Sequence, residues 1–450
     1  MATAKNSVDM INGPLWGKIL KFTALFMLTT LMQHLYSAAD IMVVGRFAGQ
    51  TALAGVGTCT VVVNLFLNFI IGLSAGATIV LGQSMGANDR EGIGKAVHTS
   101  ISVAICGGLI VSTICLLFTK QLLNMVDVPA NVMPEAISYL RVIAIGFIPS
   151  LIYNFGAAIL RAKGDTKRPL YIVTASGIIN VALNLFFVCV LKMRASGVAT
   201  ATVISQVFTA TVILYILCHE PDEIKINLKK LRIYKKPFLQ ILKFGLPSGI
   251  QSSVYSASNI LVQSSVNSFG SAAIAGAAAT SSITDFYNAM VNSLYQASIV
   301  FTSQNYGARK FDRIKSTIFV CMTYVVFLWA IQSVVTFLFG KFLLGLYIPN
   351  DPTALEMGWR KFGILGYTYG ILGLMNIMSG ALRGMGASFF NMIMSIVGVC
   401  GIRVLWILTA FRAIGTFESL YVCYPLSWAG TLILHTLMFV FIFKRAKYHQ

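Results

Sequence analysis

Long apolar runs alternate with short polar segments along the whole chain. A helix needs about 20 mostly apolar residues to cross the hydrocarbon core of a bilayer, and most of these runs are at least that long. In hydrocarbon every backbone N–H and C=O group must be paired inside the protein, and barrel strands appear as alternating segments of about 10 residues, which this chain lacks. The pattern therefore predicts an all-α polytopic membrane protein with twelve transmembrane helices, at residues 17–43, 52–80, 96–119, 136–160, 169–191, 197–218, 238–266, 272–301, 316–339, 357–381, 388–410 and 420–443.

The second half of the sequence repeats the first at a nearly constant offset. Three segments match in order, namely Lys18–Phe22 with Gln240–Phe244, Gln83–Ala87 with Gln304–Ala308, and Ala158–Gly164 with Gly380–Gly386. An even number of helices in each copy makes the copies parallel, and such duplication is typical of carriers that bind substrate between two halves. We predict two pseudo-symmetric six-helix lobes, residues 1–218 and 238–450, joined by a cytoplasmic linker at 219–237.

Composition and charge support a membrane location. Hydrophobic residues make up 56% of the chain and charged residues 11%, too few charges to cover the surface of a soluble protein of 450 residues. The net charge is +19, but most Lys and Arg residues lie in the termini and the even-numbered loops. By the positive-inside rule, this bias predicts a multi-pass protein of the cell membrane with both termini cytoplasmic. The basic linker is expected to meet solvent and lipid headgroups, and nucleic acid is not an expected partner.

The sequence offers no motif for catalysis or for a structural metal. The eight cysteines lie in or beside apolar runs and form no CxxC pair, so neither a disulfide framework nor a zinc site is predicted. No phosphate-binding loop, kinase signature, Ser-His-Asp arrangement or HExxH motif is present. We therefore expect no enzymatic activity and no cofactor, and we expect the chain to act as a monomer.

A few polar side chains lie inside the apolar runs, where they need partners or a function. Asp40 lies toward the outer end of the first span, with Tyr36 and Gln33 one and two turns earlier on the same face. A carboxylate in a low-dielectric site either finds partners or takes up a proton, and both suit a coupling site. A purely structural carboxylate is the alternative.

Further polar positions extend this set. Asn180 and Asn184 are one turn apart on the fifth span, and Thr202 and Gln206 are one turn apart on the sixth. Their oxygens could coordinate a cation, or the side chains could hydrogen-bond between helices, which is the commoner role of such residues. Asp285 in the eighth span could line a substrate cavity, or its Ser and Thr neighbours could satisfy it.

Four motifs resemble the multidrug and toxic compound extrusion (MATE) family, and the bacterial members most closely. They are Leu35–Arg46, Gly82–Ala87, Leu160–Asp165 and Gln304–Ala308, in order within a duplicated twelve-span layout. The resemblance implies an antiporter, coupled to H⁺ or Na⁺, that exports organic, often cationic and lipophilic, compounds by alternating access. It also implies a cation-coupling site, with a possible Na⁺ at Asp40, formed by Asp40, Asn180, Asn184 and Thr202. Many relatives carry Asp where this chain has Asn184, and often Pro where it has Leu25.

Two other functions remain open from the residues alone. A flippase for lipid-linked intermediates, from the wider superfamily with this architecture, should line its cavity with several basic side chains, whereas Arg403 is almost the only arginine within a span. A channel or a non-transporting receptor is disfavoured by the internal duplication, since pores are usually rings of subunits.

Overall fold

The computed structural model describes residues 7–220, 223–349 and 351–448, and within them all regular structure is helical. Twelve long helices follow one another, which confirms the predicted fold class. They are α1 (Leu15–Ala48), α2 (Gln50–Gly86), α3 (Arg90–Leu117), α4 (Met133–Lys163), α5 (Lys167–Val190), α6 (Ala195–Cys218), α7 (Lys235–Asn267), α8 (Ser271–Gly307), α9 (Phe311–Tyr347), α10 (Pro352–Gly384), α11 (Ser388–Ile414) and α12 (Phe417–Tyr448). A short helix, Thr119–Asn124, lies between α3 and α4.

Ten of the twelve helices are long and apolar enough to cross a membrane, and the other two are α7 and α8. These two helices carry many Ser, Thr, Asn and Gln residues, which lower their hydropathy. Several helices also extend past the predicted apolar runs. The third, predicted at 96–119, begins at Arg90, where the Asp89 carboxylate accepts the backbone N–H of Gly92 and caps the helix.

The internal repeat is visible in the backbone. Helices α2 and α8 occupy equivalent places in the two halves, and both are 37 residues long. A glycine with positive φ precedes each of them, Gly49 at 88° and Gly270 at 89°. The turn after each helix also contains a residue with positive φ, Asn88 and Arg309. The two halves therefore share the length of this helix and the turns on either side of it.

The chain forms two compact units. Unit 1 contains Leu28–Gly249 with the described residues up to Val8, and unit 2 contains Asp9–Met27 with the residues from 250 onward. Helices α1 and α7 are thus divided between the units, α1 after Met27 and α7 after Gly249. The lobes predicted at 1–218 and 238–450, with their linker at 219–237, stay a prediction.

Two glycine pairs let α2 and the first part of α7 pack with their backbones in contact inside unit 1. A methyl group added to Gly72 would lie 2.5 Å from the backbone nitrogen of Gly249, and one added to Gly76 would lie 2.4 Å from the carbonyl oxygen of Ile241. Added to Gly245, it would lie 2.7 Å from a carbonyl oxygen of α2. Both helices thus present glycines four residues apart, the small-residue spacing that permits close helix packing in membranes.

A Gly72→Val substitution should therefore force α2 and α7 apart. The expected loss is about 1–3 kcal/mol of stability, the usual cost of overpacking a tight contact. It can be measured as a lower thermal unfolding temperature of the purified protein in detergent. Gly57→Val on the same helix is the control, because open space surrounds Gly57. Equal effects of the two substitutions would contradict the importance of the contact.

A buried ion-pair network joins the ends of α4, α5 and α6. The Arg168 guanidinium donates to the carboxylates of Asp165 and Glu220, and Lys163 Nζ donates to Glu220 Oε2 at 2.7 Å. Asp165 and Glu220 are both buried. Burial alone raises the pKa of Glu220, but the hydrogen bonds from Arg168 and Lys163 outweigh it and hold the pKa below its ordinary value. Glu220 therefore stays ionised and stabilises this corner of unit 1.

The lowered pKa predicts how the stability contribution of Glu220 depends on pH. A carboxyl with a depressed folded-state pKa stabilises the protein above its unfolded pKa, about 4.3 for Glu, and loses this effect as pH falls through the folded value. Glu220→Gln should therefore lower the unfolding temperature at pH 7, and the difference from wild type should shrink below about pH 4.3. Glu91→Gln, which removes the exposed Glu91–Lys95 pair, should change little at either pH.

Candidate functional site

Asp40 and its predicted partners lie beside breaks in regular α-helical geometry. The last five residues of α1, Val44–Ala48, form a π-helical turn that begins four residues after Asp40. The last five of α5, Phe186–Val190, form another that begins two residues after Asn184. Single π-helical turns inside α-helices are rare and often occur at functional sites. They change which side chains face the neighbouring helix at this point.

Four predicted site residues from three helices meet in unit 1. Asn184 Nδ2 on α5 donates to Oδ1 of Asp40 on α1, and it also lies 3.2 Å from Oδ1 of Asn180. The Thr202 side chain on α6 lies near Asp40, and its hydroxyl donates to the Val198 carbonyl oxygen at 3.0 Å. The structure thus brings Asp40, Asn180, Asn184 and Thr202 together.

The amide of Asn184 leaves an oxygen without a partner beside the carboxylate. Its Nδ2 group serves the oxygens of both Asp40 and Asn180, which fixes the orientation of the amide. Asn184 is fully buried, and its Oδ1 has no hydrogen-bond donor in the part of the chain that the structure describes. A buried acceptor in this state lacks a proton donor or a cation. Carboxylate, amide and hydroxyl oxygens are the donor types that hard cations take.

The three supporting residues have different placements. Tyr36 packs against Gly177 of α5, where an added Cβ atom would lie 3.1 Å from its ring, and it interacts electrostatically with Asp40. Gln206 turns its Oε1 atom toward Gly146 of α4, where an added Cβ atom would lie 2.4 Å away. Gln33 is half-buried on α1, two turns before Asp40. The site thus includes Tyr36, whereas Gln206 packs against α4.

An apolar groove runs beside this site between α1 and α5. Its volume is about 520 Å³, and its lining includes Met32, Leu35, Tyr36, Val173, Gly177 and Ile178. Tyr36 lies both in the wall of the groove and next to Asp40. The tyrosine ring therefore separates an apolar surface from the carboxylate.

Asp285 lies in unit 2, on an exposed polar stripe of α8 that also contains Ser281, Asn288 and Asn292. Its carboxylate interacts electrostatically with Lys361 of α10. Lys361 is only 7% exposed, and its Nζ atom lies 2.8 Å from both the Ala277 carbonyl oxygen and the Ser281 hydroxyl. Asp285 is thus exposed and lies near a buried lysine.

Two residues of these clusters were missed by the sequence reasoning. Tyr139 of α4 interacts electrostatically with Asp40, and Lys361 of α10 does so with Asp285. The internal repeat is the signal that could have found them, because the offset that pairs Lys18 with Gln240 also pairs Tyr139 with Lys361. Tyr139 in the first half and Lys361 in the second half therefore occupy equivalent positions of the repeat.

An Asn184→Ala substitution should destabilise unit 1. It removes the amide that donates to both Asp40 and Asn180 and leaves the Asp40 carboxylate short of a donor. We expect a loss of about 1–3 kcal/mol, measured by thermal unfolding in detergent. Asn154→Ala is the matched control, since Asn154 donates to the Ser150 carbonyl of its own helix, at 2.9 Å. A loss no larger than that of the control would refute the role of the Asn184 amide.

Comparison with known proteins gives one family. The MatE family model matches residues 26–186 and again 247–408, so each half of the repeat matches it separately. The chain is 27% identical over 440 residues to "Probable multidrug resistance protein YoeA" of Bacillus subtilis, a match that covers 96% of this chain and 94% of that protein. It is 21% identical over 427 residues to "Multidrug export protein MepA" of Staphylococcus aureus, with 94% of each chain covered.

A solved structure described as the "Outward-facing conformation of a multidrug resistance MATE family transporter of the MOP superfamily" has the same fold. Its TM-score is 0.90, at 20% identity, over 99% of this chain and 100% of that chain. The motifs quoted from the sequence thus led to the family that the family model identifies.

Proposed function

Since the chain belongs to the MatE family, which the matches of the family model establish, we propose that it is a multidrug efflux antiporter coupled to H⁺ or Na⁺. Asp40, Asn180, Asn184 and Thr202 form its cation-coupling site, with Tyr36, Gln33 and Gln206 as the supporting polar face. The buried Asn184 Oδ1 atom beside the Asp40 carboxylate carries this proposal, because that oxygen lacks a donor or cation.

Binding of one monovalent cation would satisfy the Asp40 carboxylate and the Asn184 Oδ1 atom at once. A Na⁺ ion would take the Asp40 carboxylate, the Asn184 carbonyl oxygen and the Thr202 hydroxyl as ligands, and a proton would neutralise the carboxylate directly. Either event changes the net charge of the site from −1 to 0. Coupling requires that the cation bind more tightly to one facing state than to the other, so that its gradient shifts their populations.

The proposed substrates are organic, often cationic, lipophilic molecules, the class that relatives described as multidrug resistance proteins suggest. Asp285 is a candidate for the substrate cavity, since it is exposed on the polar stripe of α8. A polar stripe on a transmembrane helix avoids hydrocarbon and faces water or protein. The Asp285 carboxylate would attract the positive charge of such a substrate.

The remaining features of the proposal follow from the sequence patterning. The chain acts as a monomer in the cell membrane, with both termini cytoplasmic and with lobes 1–218 and 238–450 that rock about the linker 219–237. It carries no cofactor, catalyses no covalent reaction, binds no nucleic acid, and contacts membrane lipid along its apolar helices.

A second candidate function is a flippase for lipid-linked intermediates. It is favoured by three buried cationic side chains in the spans of unit 2, Lys361, Arg383 and Arg403, where the sequence alone had indicated little beyond Arg403. A flippase would move a fluorescent polyprenyl-phosphate lipid between the leaflets of proteoliposomes, as measured by dithionite quenching. Absence of that movement, with ion-driven drug transport present, decides for the antiporter.

The coupling role of Asp40 predicts that Asp40→Asn abolishes ion-driven transport. Proteoliposomes are loaded with a fluorescent cation, and a H⁺ or a Na⁺ gradient is imposed in separate experiments. Wild type should respond to one of the two gradients, and Asp40→Asn should release dye no faster than empty liposomes, because the amide cannot exchange a proton or neutralise an ion. Asp127→Asn is the control, since Asp127 lies exposed in a loop with φ of 51°, which asparagine tolerates. Dye release by Asp40→Asn at the wild-type rate would remove Asp40 from the mechanism.

A further inference from the structure

Unit 2 buries an arginine in the middle of α11 without a carboxylate partner. Arg403 is 5% exposed, and within the described ranges it forms no ion pair. Its Nη1 atom donates to Asn259 Oδ1 at 2.9 Å, and its Nε atom donates to Ser427 Oγ at 3.2 Å. A guanidinium has five N–H groups, so three of them have no acceptor in the described part of the chain. A nearly enclosed guanidinium without an anionic partner is costly, and the N–H groups of Arg403 that have no acceptor are available to a ligand.

The surroundings of Arg403 add positive charge. Its guanidinium lies 4.2 Å from the centre of the Tyr424 ring. That ring stacks on Tyr421 with 6.1 Å between centres, and Lys361 Nζ lies 5.3 Å from the centre of the Tyr421 ring. Two cations thus flank a pair of stacked tyrosines. The rings stabilise both charges through cation–π contacts. Lys361 also interacts electrostatically with the Asp285 carboxylate, whereas Arg403 has no carboxylate partner in the described ranges.

A row of exposed amides on α7 leads to this point. Asn259, Gln263 and Asn267 follow one another at intervals of four residues and are all exposed. Exposed amides on a membrane helix face water or protein, since hydrocarbon offers them no partner. Asn259, which accepts the hydrogen bond from Arg403, is thus accessible while the guanidinium behind it is nearly enclosed.

Arg403, Asn259 and Ser427 form a cluster on α11, α7 and α12. In the internal repeat, these helices are equivalent to the helices that carry the proposed cation-coupling site. Helices α7, α11 and α12 are the counterparts of α1, α5 and α6, which carry Asp40, Asn184 and Thr202. The offset that pairs Lys18 with Gln240 brings Arg403 next to Asn180 and pairs Ser427 with Ser205. The π-helical turn near the end of α11, Ile407–Phe411, also corresponds to that of α5. Each half therefore holds a polar cluster on its first, fifth and sixth helices, with an acid in the first half and a guanidinium in the second.

We propose that Arg403, with Asn259, binds an oxyanion of the transported molecule, a carboxylate or a phosphate group. The inference rests on the proposed function as a carrier and narrows its substrates to organic ions that also bear an anionic group. The planar fork of a guanidinium binds a carboxylate or phosphate through two parallel hydrogen bonds, which matches the free N–H groups of Arg403. The exposed Asn259 side chain provides a further amide donor at the same place.

The test uses two rhodamine dyes that differ only in one group, a free carboxylate and its methyl ester. Their binding to the purified full-length chain in dodecyl maltoside is measured by fluorescence anisotropy. Wild type should bind the acid roughly 10- to 100-fold more tightly than the ester, the range for hydrogen bonds to charged groups. Arg403→Gln should bring the acid to the affinity of the ester and leave the ester unchanged. Arg412→Gln, which removes an exposed arginine of the same helix, should keep the wild-type ratio.

Three outcomes would overturn the anion site. Wild type could bind the acid and the ester equally tightly, or Arg403→Gln could keep the preference for the acid. Arg403→Gln could also bind both dyes more weakly by the same factor, which would indicate a packing role. If thermal unfolding shows that Arg403→Gln does not fold, Arg403→Lys replaces it. That variant keeps the charge but loses the fork, so the ratio should still fall.

Two further arms separate the sources of the oxyanion and the two proposals. Phosphatidylglycerol added to the micelles abolishes the acid preference if a lipid phosphate takes the site, and leaves it intact if the site is reserved for the transported molecule. Ion-driven transport of the ester in proteoliposomes tests the proposed function by itself. If the ester is transported but wild type shows no preference for binding the acid, only the anion site is refuted. If an ion gradient drives transport of neither dye, the antiporter function is refuted.

Discussion

The hydrogen bond from Asn184 to Asp40 is the interaction on which the candidate site depends. A carboxylate inside a membrane helix needs a donor, and a buried amide has two N–H groups and one oxygen to place. Because Asn180 takes the remaining Nδ2 contact, the amide cannot turn its oxygen away from the site. The same geometry that satisfies the carboxylate therefore holds a carbonyl oxygen next to it that no donor in the described part of the chain reaches.

Polarity is distributed over the helices in a way that follows from this constraint. Helices α7 and α8 carry the exposed polar stripes and are the two that fall short of the hydropathy of a membrane span. The helices that carry Asp40, Asn184 and Thr202 are all apolar enough to cross a membrane. Hydrocarbon tolerates a few well-paired polar groups within an apolar helix, whereas a continuous polar stripe requires water or protein along its length. The first two helices of the second half are thus more polar than their counterparts in the first half, although α2 and α8 have the same length.

Much of the fold could be predicted from the sequence, because apolar run length and the repeat are global signals that tolerate errors at single residues. The grouping of Asp40, Asn184 and Thr202 followed only from the resemblance to the family, because spacing along one helix does not predict contacts between helices. The orientation of Gln206 toward Gly146 could not be predicted. It depends on the space that a glycine leaves in the neighbouring helix, and the rotation of a helix about its axis depends on such packing. Lys361 was missed because the apolar run begins only at 357, although the helix begins at Pro352 and places the lysine more than two turns inside.

The charges of the two polar clusters bear on how many ions a transport cycle can use. The proposed coupling site has one carboxylate, because asparagine and not an acid stands at position 184, so it can neutralise one monovalent cation. A guanidinium, in contrast, stays protonated in proteins. Arg403 lies in the equivalent cluster of the second half, where a positive charge repels a cation and attracts an anion. In the proposed mechanism the coupling ion therefore binds only in the cluster around Asp40, and that cluster gains and loses a single charge.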